Sequence, residues 1–203
     1  MRKWLSIVGM LVLLSGCALF ANQQLSQNYG NESVENRITL TDAQDDAFYY
    51  EQVKPILDNR CVSCHACYDA PCQLKLTAPA GIERGGSKDL VYDGTRLLAS
   101  TPSRLFVDGK STEEWRKKGF HPVLNERSQS PAANLNNSVL YRAIALRQKQ
   151  GKFEEPLLDD DYDVSLYRDQ QCSSAAEFAD YERDHPKWGM PYGLPALSTE
   201  EYN

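Results

Sequence analysis

Histidine and methionine are scarce in this chain of 203 residues, with three of each. Met1 and Met10 fall in the first apolar stretch, which leaves Met190 as the one methionine beyond it. Only His65, His121 and His185 can offer an imidazole. A long apolar run is missing too. Trp4–Leu14 is apolar but too short to span a bilayer comfortably. Positive charge is not in excess: 22 Lys and Arg face 28 Asp and Glu, giving a net charge of −6 and a pI near 5.1. That balance argues against nucleic acid as a partner. No internal repeat is apparent. The acidic run Asp159-Asp160-Asp161-Tyr162-Asp163 lacks the glycine and the closing glutamate of an EF-hand loop, so it reads as a solvated loop rather than a calcium site.

Against these absences stands Cys61-Val62-Ser63-Cys64-His65. A C-x-x-C-H run reads as a site of covalent c-type haem attachment. Two thiols one helical turn apart can each add to a haem vinyl group, and the adjacent His65 is then placed to ligate the iron. Other readings exist. Cys67 and Cys72 could complete a Cys-rich zinc knuckle with the same pair. A thioredoxin-like redox pair would follow a strand, whereas the residues before Cys61 look helical.

The first 17 residues read as a leader rather than as part of the fold. Arg2 and Lys3 precede the short apolar run, which ends in Leu14-Ser15-Gly16-Cys17. That tetrapeptide resembles a bacterial lipobox, in which the cysteine is lipidated and becomes the mature N-terminus. A secretory signal cut after Ala18 or Ala21 and an uncleaved anchor are the alternatives. All three export the chain, so the expected location is the periplasm, with the chain membrane-tethered as a lipoprotein. Residues 18–40 are polar and read as a flexible tether. Residues 41–203 are about one domain's worth.

Within that domain, Tyr49, Val53, Ile56 and Leu57 recur at helical spacing after a Thr41-Asp42 cap, with a kink expected at Pro55. Gly81 to Gly86 reads as a loop. Val91–Leu98 and Arg104–Gly109 suggest a small β insertion around Asp-Gly turns. Thr112 should cap a short helix closed by Gly119. Ser138–Gln150 is a helix stopped by Gly151, and Ser174–Asp184 is another. The fold class expected is mainly α, a cytochrome c-like haem domain with irregular and small β insertions. With Cys61 and Cys64 on haem and Cys17 on lipid, Cys67, Cys72 and Cys172 remain. A disulfide is expected among these three, its pairing open, with one thiol left over.

Met190 sits in Gly189-Met190-Pro191-Tyr192-Gly193-Leu194, followed by Leu197-Ser198-Thr199-Glu200-Glu201. This resembles the end of class I c-type cytochromes, where a methionine ligates the iron opposite the histidine. Met190 is therefore the candidate second axial ligand, with His121 and His185 as competitors; its plain alternative is a gap-filling hydrophobe. Ser198 opens a helix that stops within a turn. In class I cytochromes the last helix crosses the first. The expectation is a truncated C-terminal helix in the front part of a longer protein.

Several stretches together resemble the N-terminal part of bacterial fatty acid cis/trans isomerases. They are Val53-Lys54-Pro55-Ile56-Leu57 leading into Cys61–His65, Cys67-Tyr68-Asp69-Ala70-Pro71-Cys72-Gln73-Leu74-Lys75, Gly81-Ile82-Glu83-Arg84-Gly85, Trp115–Val123 and Trp188–Leu194. The resemblance implies a periplasmic enzyme with one covalent haem c, converting cis double bonds of unsaturated fatty acids in membrane phospholipids to trans under membrane stress. It implies partners in the membrane surface and in a C-terminal region outside this chain. An exported monohaem electron carrier, with no substrate, is the rival reading.

Overall fold

The computed structural model describes residues 19–37, 47–68, 70–90, 101–151, 158, 162–164 and 170–202. The described residues are mainly helical, and their β structure is limited to two isolated bridges, Gly86 with His121 and Leu105 with Gly109. The helices are short: α1 (19–29), α2 (Lys54–Arg60), α3 (Val62–His65), α4 (Pro79–Arg84), α5 (Thr112–Lys117), α6 (Pro131–Asn136), α7 (Val139–Lys149), α8 (Phe178–Asp184) and α9 (Thr199–Tyr202).

Local chemistry explains most of the boundaries. Pro55 stands in the first turn of α2, and the expected kink takes the form of a π-helical turn, Tyr49–Val53, just before it. A proline has no N–H to give and its ring crowds the carbonyl of the preceding turn, which a wider turn relieves. Ser111, one residue earlier than expected, caps α5 by accepting from the Glu114 N–H. Thr112 is fully buried and used otherwise: its hydroxyl accepts from the Arg37 N–H and its own N–H donates to Asn36. Ser138 caps α7 as expected, accepting from the Tyr141 N–H. The helix expected from Ser174 begins only at Phe178, because Glu177 folds back and its carboxylate accepts from the Ser174 N–H and hydroxyl.

Three expectations need correction. Gly81 to Gly86 is not simply a loop, since α4 runs through Gly81 and stops at Gly85. Gly81 is in the helix because a Cβ there would lie 2.1 Å from the Lys75 carbonyl oxygen, and Gly85 takes φ +82. Arg104–Gly109 is a tight loop rather than a strand, closed by the Asp108 carboxylate, which accepts from the Arg104 N–H at 2.7 Å. Val91–Leu98 and Thr41-Asp42 lie outside the described residues. The segment expected to be a flexible tether is ordered from residue 19 to 37. Arg127, 7% exposed, donates to Asn22, Ser26 and the Gly30 carbonyl and so binds α1 to the body. Polar composition predicts solvation only when no buried donor waits for those polar groups.

The core has three apolar clusters. Trp115 packs with Phe120, Leu105 and Ala80. Tyr49, Leu57, Leu76, Ile82 and Val123 form the second, with Cys61, Val139 and Leu140 against it. Ala143, Leu146, Phe178 and Tyr181 form the third, with Val139, Trp188 and Met190 against it. Val139, at the start of α7, touches both of the last two. Beside the first cluster Arg84 is fully buried. Its guanidinium donates to the Gln73 and Ser103 carbonyls and lies 5.0 Å from the Phe120 ring and 5.6 Å from Trp115. Burial lowers its pKa to about 10, still charged at neutral pH.

Cys72 is bonded to Cys172 across 100 residues of chain, and Cys61, Cys64 and Cys67 are free thiols. The leftover thiol of the sequence reading is thus Cys67.

Arg84→Lys keeps the charge but loses the fork that reaches two carbonyls. It should cost about 1–3 kcal/mol in urea unfolding, the range for a stranded buried polar group. Cys172→Ser should cost roughly 2–5 kcal/mol, because a closure this long strongly restricts the unfolded chain. Thiol-specific labelling of the native chain should modify Cys67 without prior reduction, and Cys72 and Cys172 only after it.

Candidate functional site

Cys61 joins α2 to α3. Its N–H donates to the Leu57 carbonyl, while its carbonyl accepts from Cys64 at 3.1 Å and His65 at 3.0 Å. The two thiols and the imidazole are therefore mounted on a single helical turn. Their surroundings differ. Cys61 is partly buried against the second cluster, and burial pushes its thiol up to about 11. Cys64 is exposed. His65 is half-buried, and its Nδ1 is 3.2 Å from the Leu74 carbonyl oxygen. A carbonyl can only accept, so Nδ1 carries the proton and Nε2 keeps its lone pair. Burial lowers the His65 pKa and the Leu74 bond opposes that only in part, which favours the neutral ring.

The segment after α3 is folded back onto it. The Leu76 N–H donates to the His65 carbonyl at 2.8 Å, and Lys75 reaches the Ala66 carbonyl at 2.6 Å. The Cys72–Cys172 bond then ties this loop to the segment before α8.

A covalently held haem fits this donor set. It requires two reduced thiols a turn apart, an apolar setting at one side, and an imidazole of fixed tautomer oriented by a second hydrogen bond. A zinc knuckle fits less well, because Cys72 is consumed in the disulfide. Among the described residues no group of three or more His, Cys, Asp or Glu is placed to hold a metal ion. A thioredoxin-like arrangement lacks its strand, since a helix precedes Cys61.

Met190 lies in the third cluster, with its N–H donating to the Ala143 carbonyl at 2.8 Å. Its packing partners belong to α7 and α8, and Val139 is the residue its cluster shares with that of Cys61. A Cβ on the neighbouring Gly189 would fall 2.2 Å from the Arg147 backbone nitrogen, so this loop is pressed against α7. His185 stacks on Trp188 with centroids 4.2 Å apart. His121 is half-buried, and desolvation, aided by Lys88, lowers its pKa to about 4. His185 lines a cleft of about 340 Å³ with Lys88, Glu177 and Asp180, and His121 lines another of about 260 Å³. Neither cleft includes Cys61, Cys64, His65 or Met190. Cys17 lies outside the described residues.

The last helix meets the first of the haem-motif region. Glu201 of α9 accepts two hydrogen bonds from Arg60 of α2, at 2.9 and 2.8 Å. Tyr202 stacks on Tyr141 of α7 and their hydroxyls are 2.8 Å apart. Ser198 and Glu201 cap α9 reciprocally. The Arg60–Glu201 pair was not foreseeable from local pattern, since 141 residues separate its members.

No curated protein and no solved structure matches the chain. A family model does: residues 100–203 match that of the fatty acid cis/trans isomerases. The matched stretch contains Met190 and α5 to α9, and it begins downstream of Cys61–His65. Because it spans just over half of the 203 residues, the chain belongs to the fatty acid cis/trans isomerase family.

Proposed function

We propose that this isomerase chain is a c-type haem module, exported and membrane-tethered, acting on cis double bonds of unsaturated acyl chains in membrane phospholipids. The observation that carries the haem reading is the single turn holding Cys61, Cys64 and His65, with the His65 tautomer set by the Leu74 carbonyl. The isomerase reading rests on the family match.

Cis-to-trans conversion is downhill, so no nucleotide or other energy source is required. When bound, haem would supply an electron-accepting centre able to lower the order of the π bond that blocks rotation, with no net redox change. The residues of the chain provide the holding and tuning. Cys61 and Cys64 would hold the haem covalently through their two thiols. His65 would hold the iron through Nε2, with the Leu74 carbonyl fixing the ring and raising its basicity. Met190 would be the candidate second ligand, and its thioether would raise the reduction potential. Arg60–Glu201 and Tyr141–Tyr202 close the module by holding α9 on α2 and α7. An electron carrier without substrate has no observation of its own to favour it beside the family match.

The test uses the full-length gene product in cells, read as the trans-to-cis ratio of membrane fatty acids and as covalent haem stain. Cys61→Ala with Cys64→Ala should abolish both. Persistence of the stain would sink the haem assignment, and an unchanged ratio without stain would sink its role in the reaction. Met190→Ala should retain the stain while changing the optical spectrum and lowering the potential; an unchanged spectrum and potential would remove Met190 as a ligand.

A further inference from the structure

We propose that Arg84 is the positioning residue of His65: its guanidinium clamps the strained Cys72-Gln73 turn and so keeps the Leu74 carbonyl on the imidazole. The inference rests on the reading of His65 as an iron ligand. The Leu74 carbonyl oxygen is 3.2 Å from His65 Nδ1, so whatever holds that peptide sets the ring. Local backbone preference works against the arrangement. Cys72 and Gln73, directly before Leu74, take φ +57 and +49 in succession. Left-handed backbone costs a residue with a side chain free energy, and it persists only where the surroundings over-determine it.

Arg84 supplies that constraint from the last turn of α4. One arm of its guanidinium donates to the Gln73 carbonyl, and another donates to the Ser103 carbonyl on the far side. The Tyr68 ring, from the same loop as Leu74, lies 5.7 Å from the guanidinium, so the loop is gripped at two places. The clamp is itself anchored. Ile82 of α4 belongs to the second apolar cluster, and the Arg84 carbonyl accepts from Arg116 at 2.8 Å. Other ties act at the ends of the turn. The disulfide and the Ser87 N–H hold Cys72, and the Leu76 N–H reaches the His65 carbonyl. Arg84 and His65 instead take the two successive carbonyls of Gln73 and Leu74. A hydrogen bond accepted from Nδ1–H raises the basicity of the ring, which favours ferric over ferrous iron, and such bonding is one lever on a haem potential. Arg84 touches neither the imidazole nor the iron site in this account; it acts through the peptide it holds.

The experiment compares the exported full-length protein with its Arg84→Lys and Arg127→Lys variants, reading covalent haem stain and the midpoint potential in a dye-coupled titration. Lysine keeps the charge at position 84, but its single ammonium lacks the fork that bridges Gln73 and Ser103. Arg127→Lys loosens a different buried guanidinium, the one that holds α1. Arg84→Lys should keep the stain and raise the potential, while Arg127→Lys leaves the potential at its native value. Stain with an unmoved potential in Arg84→Lys overturns the positioning role and leaves the haem reading standing. Equal shifts in both variants show general loosening and overturn it too. Absence of stain from the unmutated protein removes the haem reading and this inference with it. If Arg84→Lys fails to accumulate, hydrogen exchange of the unmutated protein decides: the Leu74 and Leu76 amides should exchange as slowly as those of α7, and exchange at open-chain rates overturns the clamp.

Discussion

The fold depends on buried guanidinium groups that hydrogen-bond to loop carbonyls. With little regular sheet and helices of few turns among the described residues, many backbone carbonyls have no ladder partner. A buried carbonyl left unpaired costs free energy comparable to a lost hydrogen bond. Arg84 serves Gln73 and Ser103, and Arg116 serves Glu83, Arg84 and Phe120 while pairing with the buried Glu126. Arg147 holds the Leu194 and Gly151 carbonyls, fixing the end of α7 to the loop that bears Met190. A guanidinium presents several N–H groups in a rigid fork, so one side chain can join three segments. Arg84 has no carboxylate partner among the described residues. Its charge is offset by carbonyl dipoles and by the faces of Trp115 and Phe120.

This constraint also explains the candidate site. Among the described residues of 66–76 there is no helix or strand beyond the short turn Pro71–Gln73, yet they must keep Leu74 over His65. Three ties do this: the Leu76 N–H to the His65 carbonyl, Lys75 to the Ala66 carbonyl, and Cys72 to Cys172. Arg84 adds a fourth through Gln73. The imidazole orientation is thus set by residues that form no part of the Cys-x-x-Cys-His run.

What was legible in the sequence was what depends on neighbours in the chain. α7 carries its cap, its apolar spacing and its glycine stop within a short window, and it was readable at both ends. The Cys61–His65 turn was readable because two thiols spaced by two residues fall one helical turn apart. α4 was misread because the reason for Gly81 is a contact with Lys75 across a turn, not a need for a loop. α6 went unforeseen although Ser130-Pro131 is a sound start signal. Residues 19–37 read as solvated chain because their partner, Arg127, stands about a hundred residues away. The pairing Cys72–Cys172 was undetermined for the same reason. Pairs this distant leave no local trace.

The long separation of that pair has a consequence for how the chain matures. Delivered N-terminus first into an oxidising compartment, as the proposed export would require, the chain would present Cys61, Cys64, Cys67 and Cys72 together, with the proper mate of Cys72 100 residues behind. A thiolate attacks an accessible disulfide sulfur near it in the chain and displaces the other sulfur as a thiolate. Until Cys172 arrives, neighbouring pairings compete for Cys72, and any that engage Cys61 or Cys64 also block the thiols a haem would need. Order of events, and not only final energy, then decides the yield of correctly joined molecules. The tight grouping that makes the motif easy to read also makes it easy to cross-link wrongly.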